Sequence, residues 1–186
     1  MAGDGGAPVD TAAALRPNCS RCAALCCVAL AFDRSPEFAI DKANGVPCPH
    51  LDAALRCRIH DKRREAGFSG CVGYDCRGAG QRVTQEVFGG RSWQDDPALL
   101  PAMVRAFVKV RALHELLLLL AEAEKLGLSP AERLRCCELA IRLAPATGWT
   151  AETLALLDED LLTREVRSFL AGLRERVARR SVGGEA

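Results

Sequence analysis

The chain has no excess of either charge. Its 25 Lys and Arg residues face 24 Asp and Glu, for a formal net charge of +1, and the two signs are mixed along the length. Without a basic stripe there is no electrostatic footprint for a nucleic-acid backbone, so no nucleic-acid partner is expected. Long apolar runs are also missing. The longest, Leu116 to Ala121, is far short of the ~20 apolar residues that cross a bilayer, so no membrane partner is expected either. Residues 1–17 are rich in Gly, Ala and Asp and have no periodicity. They lack the basic start and apolar run of a secretory leader, and read as a disordered N-terminal tail on a cytoplasmic protein. No G-x-S-x-G, P-loop or H-E-x-x-H pattern occurs, which removes the motif-borne hydrolase, nucleotide and metalloprotease readings.

Cysteine, by contrast, is abundant. Of ten cysteines, eight lie between Cys19 and Cys76, and two are adjacent at Cys136 and Cys137. In a cytosolic chain such density points to metal or redox chemistry, because thiols there are kept reduced. The surrounding residues, 18–90, are rich in Cys, Gly and Pro and poor in apolar periodicity. Such a segment cannot build a large hydrophobic core, and bound metal is the expected tie.

Within it, Ser35-Pro36 reads as an N-cap with proline at the first helical position, and Gly45 as a stop, which predicts a helix over Pro36 to Asn44. A second helix is expected over Gly80 to Phe88, and a pair of short extended pieces over Leu51 to His60. From Asp95 onward the pattern is helical. Apolar residues recur at helical spacing through Pro97 to Lys125, with Gly127 as a stop. Ser129-Pro130-Ala131-Glu132 fits a capping box for a helix to about Leu143. Thr150 opens another helix, and Leu161 to about Arg179 is the last. Leu116 to Leu120 is apolar on all sides, which predicts burial of that helix. The expected fold class is mainly α: an irregular, metal-stabilised cysteine-rich domain with short helices over residues 18–90, then a C-terminal bundle of about four helices over residues 95–181.

The candidate metal ligands are Cys19, Cys22, Cys26, Cys27, Cys48, Cys57, Cys71 and Cys76. Cys19 and Cys22 form a C-x2-C, a spacing that lets a tight turn aim two sulfurs at one ion. The side chains of adjacent Cys26 and Cys27 diverge, so they serve two centres, or one ligates and one packs. Eight thiols match two four-sulfur zinc sites. They equally match one iron–sulfur cluster with four spare thiols, although the spacing is not the ferredoxin run. His50 and His60 are candidate substitute ligands.

The order C-x2-C, Cys26-Cys27, Pro47-Cys48-Pro49-His50-Leu51, Cys57-Arg58-Ile59-His60, then Cys71 and Cys76 resembles the YkgJ-type cysteine-cluster family. That resemblance implies chelation of zinc or iron. It covers about a third of the chain. A closer resemblance is to the cysteine-rich N-terminal segment of certain bacterial pentapeptide-repeat proteins. It is carried by Cys22 to Leu30, Asp41-Lys42-Ala43, Gly67 to Cys71, Tyr74-Asp75-Cys76 and Gly78 to Gln81. Two departures stand out. Three residues separate Cys22 from Cys26 where the wider family commonly has two, and no A-(D/N)-L-x-x repeat follows. DNA mimicry and gyrase protection therefore do not transfer. A similar cysteine pattern occurs in flagellin lysine N-methylases, which implies an alternative iron–sulfur-dependent modifying enzyme.

The remaining features read as structure. Gly78-Ala79-Gly80 is a turn closing the cysteine segment rather than an anion cradle, since a lone G-x-G is a weak signal. Cys136 and Cys137, set among Leu134, Leu139 and Ile141, read as small core hydrophobes. His114 reads as a satisfied histidine at a packing boundary, and Asp158-Glu159-Asp160 as a helix start. Three functions follow: a metal-binding interaction or accessory module whose helices meet a protein partner, an iron–sulfur modifying enzyme, or a metal store or thiol redox sensor.

Overall fold

The computed structural model describes residues 14–182, with side chains to residue 176. The expected tail up to residue 13 lies outside the described residues. Leu15 is already buried, and the Arg16 carbonyl accepts from Gln81 Nε2 at 3.0 Å. The chain is mainly helical. Among the described residues the α-helices are α1 (Leu25–Ala29), α2 (Ser69–Gly73), α3 (Ala79–Arg82), α4 (Leu100–Glu124), α5 (Pro130–Leu143), α6 (Ala151–Leu156) and α7 (Glu159–Val182). Among the described residues extended backbone pairs only in isolated bridges, Phe32 with Lys42, Ser35 with Phe38 and Leu51 with Cys57.

Helix α4 is the spine. Its periodic residues Met103, Phe107, Val110, Leu113, Leu117 and Leu120 are buried, as a 3.6-residue period requires of a helix with neighbours on several sides. The all-round burial expected of Leu116–Leu120 is incomplete, since Leu119 is 47% exposed. Ser129 and Glu132 form the expected capping box at the start of α5. Thr150 caps α6 in the same way, with Thr153 as its partner. Asp158 Oδ1 accepts from the Leu161 N–H at 2.8 Å at the start of α7. Lys109 of α4 donates to the Leu157 carbonyl at 2.7 Å, placing a cation at the C-terminal end of α6. Glu165 of α7 accepts from both Arg135 and Arg142 of α5. None of these helices is long and apolar enough to cross a membrane, among the described residues.

One hydrophobic cluster unites the two compositional segments. Leu25 and Val28 of α1, Ala79 of α3, and Val83 share it with α4, α5, α6 and α7. A separate aromatic group forms away from it. Phe32 stacks on Phe38 with ring centroids 4.3 Å apart. Phe68, itself buried, meets Phe32 edge-on at 6.3 Å and His50 edge-on at 5.0 Å.

The expected helix over Pro36 to Asn44 does not form. Ser35 and Phe38 exchange backbone hydrogen bonds at 2.9 and 3.2 Å, making a tight turn with Pro36 and Glu37 at its corner. The locked φ of proline suits the second position of such a turn as well as the first turn of a helix. The few apolar residues that follow cannot line a helix face. The Gly80–Phe88 expectation survives as α3 continuing into a π-helical turn over Val83–Val87. Leu51–His60 contains the Leu51–Cys57 bridge.

Candidate functional site

Short segments position the thiols, and two larger elements hold them. Residues 79–88 present Gln81, Thr84 and Gln85 on one face, at the helical spacing that makes them neighbours. Thr84 Oγ1 accepts from the Ala23 N–H at 3.0 Å, and Gln85 Nε2 donates to the Arg21 carbonyl at 2.9 Å. The Trp93 indole N–H donates to the Ala23 carbonyl at 2.7 Å. With the Asn18 N–H donating to Gln81 Oε1, the C-x2-C loop is pinned at both ends. Ala24, at φ 52°, then turns the chain sharply into α1.

Cys22, Cys26 and Cys76 pack against the main hydrophobic cluster. The Cys22 sulfur occupies the space that a Cβ on residue 80 would need, so glycine there is required by contact rather than by a turn. Cys76 is tied to the start of α3 by its carbonyl, which accepts from the Ala79 N–H at 3.0 Å.

Cys27, Cys48, Cys57 and Cys71 are not among the residues packed on that cluster. The Cys27 carbonyl accepts from the Cys48 N–H at 3.0 Å. Cys57 bridges to Leu51, three residues beyond Cys48. Arg63 donates to the Cys71 carbonyl at 3.0 Å. Residue 70 lies against the Phe38 ring, where only glycine fits. Lys42 is buried and donates to the carbonyls of Val28, Ala43 and Val46 at 3.0, 3.1 and 2.9 Å.

The adjacent pair Cys26 and Cys27 stands where these two surroundings meet, with sulfurs 3.9 Å apart. The Cys26 thiol shares its proton with Cys27, which falls to about 7, helped by the charges of Lys42 and Arg63. Cys26, as donor and buried, is held well above the usual thiol range. Burial raises Cys22 to about 11, with repulsion from Cys76 and Cys19 adding to it. Burial also raises Cys19, Cys48 and Cys71. Cys76 and Cys27 repel Cys19, while Cys27 and Cys57 repel Cys48. All ten thiols are free. Among the described residues no three His, Cys, Asp or Glu side chains are already converged in a metal-holding arrangement. Thiolate is a ligand type that zinc and iron both take, but the described residues do not surround a point with it.

His60 is exposed and paired with Asp61 at 3.0 Å, and His50 makes the ring contact with Phe68 described above. Cys136 is buried, with its sulfur 3.7 Å from the Leu120 carbonyl. Cys137 is exposed, so the core role expected for both holds for the first alone. Leu134 and Ile141 are each 64% exposed, on the outer side of α5. His114 is fully buried rather than at a boundary. Its Nδ1–H donates to the Arg77 carbonyl, and its Nε2 has no partner. Lys42 and Gly80 were not singled out as site residues by motif, although Asp41-Lys42-Ala43 and Gly78 to Gln81 belong to the resembling blocks and carried that signal.

No protein-family model matches the chain, and no solved structure matches it. A Bacillus subtilis (strain 168) protein, described as uncharacterized protein YybG, is 35% identical over 156 residues, which cover 84% of this chain and 56% of that protein. The chain thus spans little more than half the length of this curated relative.

Proposed function

We propose that the chain binds zinc or iron through Cys19, Cys22, Cys26, Cys27, Cys48, Cys57, Cys71 and Cys76, and that it serves as a metal-stabilised interaction or accessory module. The observation that carries this reading is the gathering of free thiols from four separated stretches into mutual repulsion around α1. Burial and like charge oppose ionising Cys19, Cys22, Cys26, Cys48 and Cys71, and a bound cation offsets both, since thiolates are its ligands and their protons leave on binding. The segment around them has only one-turn helices and isolated bridges, the kind of structure that a metal stabilises. The helices α4–α7 supply the partner surface, with Leu134 and Ile141 exposed seven residues apart on one face of α5.

A second reading, thiol redox sensing, is favoured by one feature: Cys27 at about 7 beside the Cys26 thiol has the depressed pKa that makes a thiol reactive. Anaerobic purification followed by metal analysis and an absorption spectrum separates the classes. Colourless protein with tightly held zinc supports the module. Brown protein with visible charge-transfer absorption supports the iron–sulfur enzyme related in pattern to lysine N-methylases. Exchangeable metal with reversibly oxidised thiols supports the store or sensor. Absence of stoichiometric metal, with all eight thiols titrating freely in the native fold, would overturn the proposal.

A further inference from the structure

The outer face of α5 carries apolar side chains that no described residue covers. Leu134 and Ile141 are each 64% exposed, and Cys137 between them is exposed as well. With the exposed Pro130 at the start of the helix, they follow the alternating four- and three-residue spacing of a seam between two paired helices. Beside the seam lies a groove of about 450 Å³ lined by Leu128, Pro130, Arg133, Leu134 and Cys137. The inner face of α5 is already occupied. Leu139 and Leu143 are buried, and Arg135 and Arg142 hold Glu165 of α7. Contiguous exposed apolar residues rimmed by charge mark an interaction surface.

One charge of each sign flanks the seam. Arg133 precedes Leu134 and Glu138 follows Cys137, which sets them on opposite edges. The ion pairs of α5 use Glu132, Arg135, Glu138 and Arg142, and leave the exposed Arg133 without one among the described residues. The Arg135–Glu138 pair is half exposed on both sides, so Glu138 exchanges it at little cost. The other edge positions, Ala131 and Ala140, are small and let a second backbone approach.

We propose that this face joins two copies of the chain, with their α5 helices parallel, Cys137 meeting Cys137 of the partner subunit, and Arg133 of each copy pairing with Glu138 of the other. This rests on the reading of the C-terminal helices as a partner surface and names the partner. A face with arginine on one edge and glutamate on the other complements itself in this orientation. A twofold axis along the seam sets the Arg133 edge of one helix against the Glu138 edge of its copy. The antiparallel arrangement sets each edge against itself and leaves both charges unmatched. A contact of this length lies at the low end of interface sizes, under about 1,200 Å², so the pair is weak and forms as concentration rises.

The test is analytical ultracentrifugation of the full chain over a concentration series to about 1 mM, with a short bis-maleimide cross-linker mapped by peptide mass spectrometry. The mass should rise toward twice that of the monomer, and Cys137 to Cys137 should be the main link between chains. Leu134→Gln with Ile141→Gln changes exposed positions alone. It should keep the helix content by circular dichroism and weaken association about tenfold or more. Arg133→Glu alone and Glu138→Arg alone should each weaken it. Mixed with one another, or combined in one chain, these two should restore it. A monomer throughout would overturn the proposal and leave the face to a different protein. A dimer indifferent to the α5 substitutions, or charge reversals that fail to complement, would overturn it too. Metal content measured on the same samples keeps the readings apart, because a monomer with stoichiometric metal leaves metal binding standing and a metal-free dimer overturns metal binding alone.

Discussion

The Cys22 sulfur lies against Gly80, in the volume a methyl group on residue 80 would fill. Glycine to alanine inside a helix ordinarily stabilises by about 1 kcal/mol. Here the sign should reverse. Ala23, next to Cys22, is anchored to Thr84 and Trp93, so the backbone that carries the sulfur is held in place. Gly80→Ala should destabilise the chain by about 1–3 kcal/mol, the usual cost of overpacking, and, on the metal-binding reading, reduce metal uptake through Cys22. Urea unfolding and metal analysis read the two effects. A more stable variant would mean that the Cys22 side chain moves freely.

His114 sets a pH dependence. Burial lowers its pKa from 6.5 to about 4, against the opposing effect of its hydrogen bond to Arg77. The unfolded chain therefore binds the proton more readily than the folded one. Stability should fall as pH drops below 6.5 and level off below about 4, for a total of about 3 kcal/mol, more than half of it lost by pH 5. His114→Leu should cost stability at neutral pH, because the Arg77 carbonyl loses its donor, and should flatten this part of the profile. Equal acid sensitivity in the two proteins would assign the effect to other groups.

Lys42 ties together the carbonyls of Val28, Ala43 and Val46, and its charge reaches Cys27. Lys42→Met keeps the aliphatic stem and removes the donors. It should cost about 2 kcal/mol by leaving buried carbonyls unpaired, measurable by chemical denaturation. In the metal-free chain it should also slow alkylation of Cys27 at pH 7, since the lysine charge favours that thiolate. An unchanged alkylation rate would leave the Cys26 hydrogen bond and the Arg63 charge as the influences on that thiol.

The adjacent cysteines of α5 should behave oppositely. Cys136→Ala opens a small cavity between α4 and α5 and should cost about 1 kcal/mol. Cys137→Ser is an exposed substitution and should stay within about 0.5 kcal/mol. In the native protein a thiol reagent should label Cys137 at once and Cys136 only on unfolding. Simultaneous labelling of both would show that α5 opens locally.

How much of this was legible in the chain differs between its two halves. Helices α4, α5 and α6 follow from apolar period and capping residues, because those signals act within a few residues of one another. Pro36 misleads for the same reason, since a local signal that suits both a turn and a helix start is decided by what the next residues can bury. For Cys136 and Cys137, composition does not say which side of the helix meets a neighbour, and packing against Leu120 settles it.

The sequence by itself determined that eight thiols would crowd a segment too poor in apolar residues to fold on a core of its own, and that helices would follow. Only the tertiary structure decided which thiols share surroundings. Cys22 and Cys76 are far apart in sequence yet meet the same core, because long-range packing brings distant side chains together.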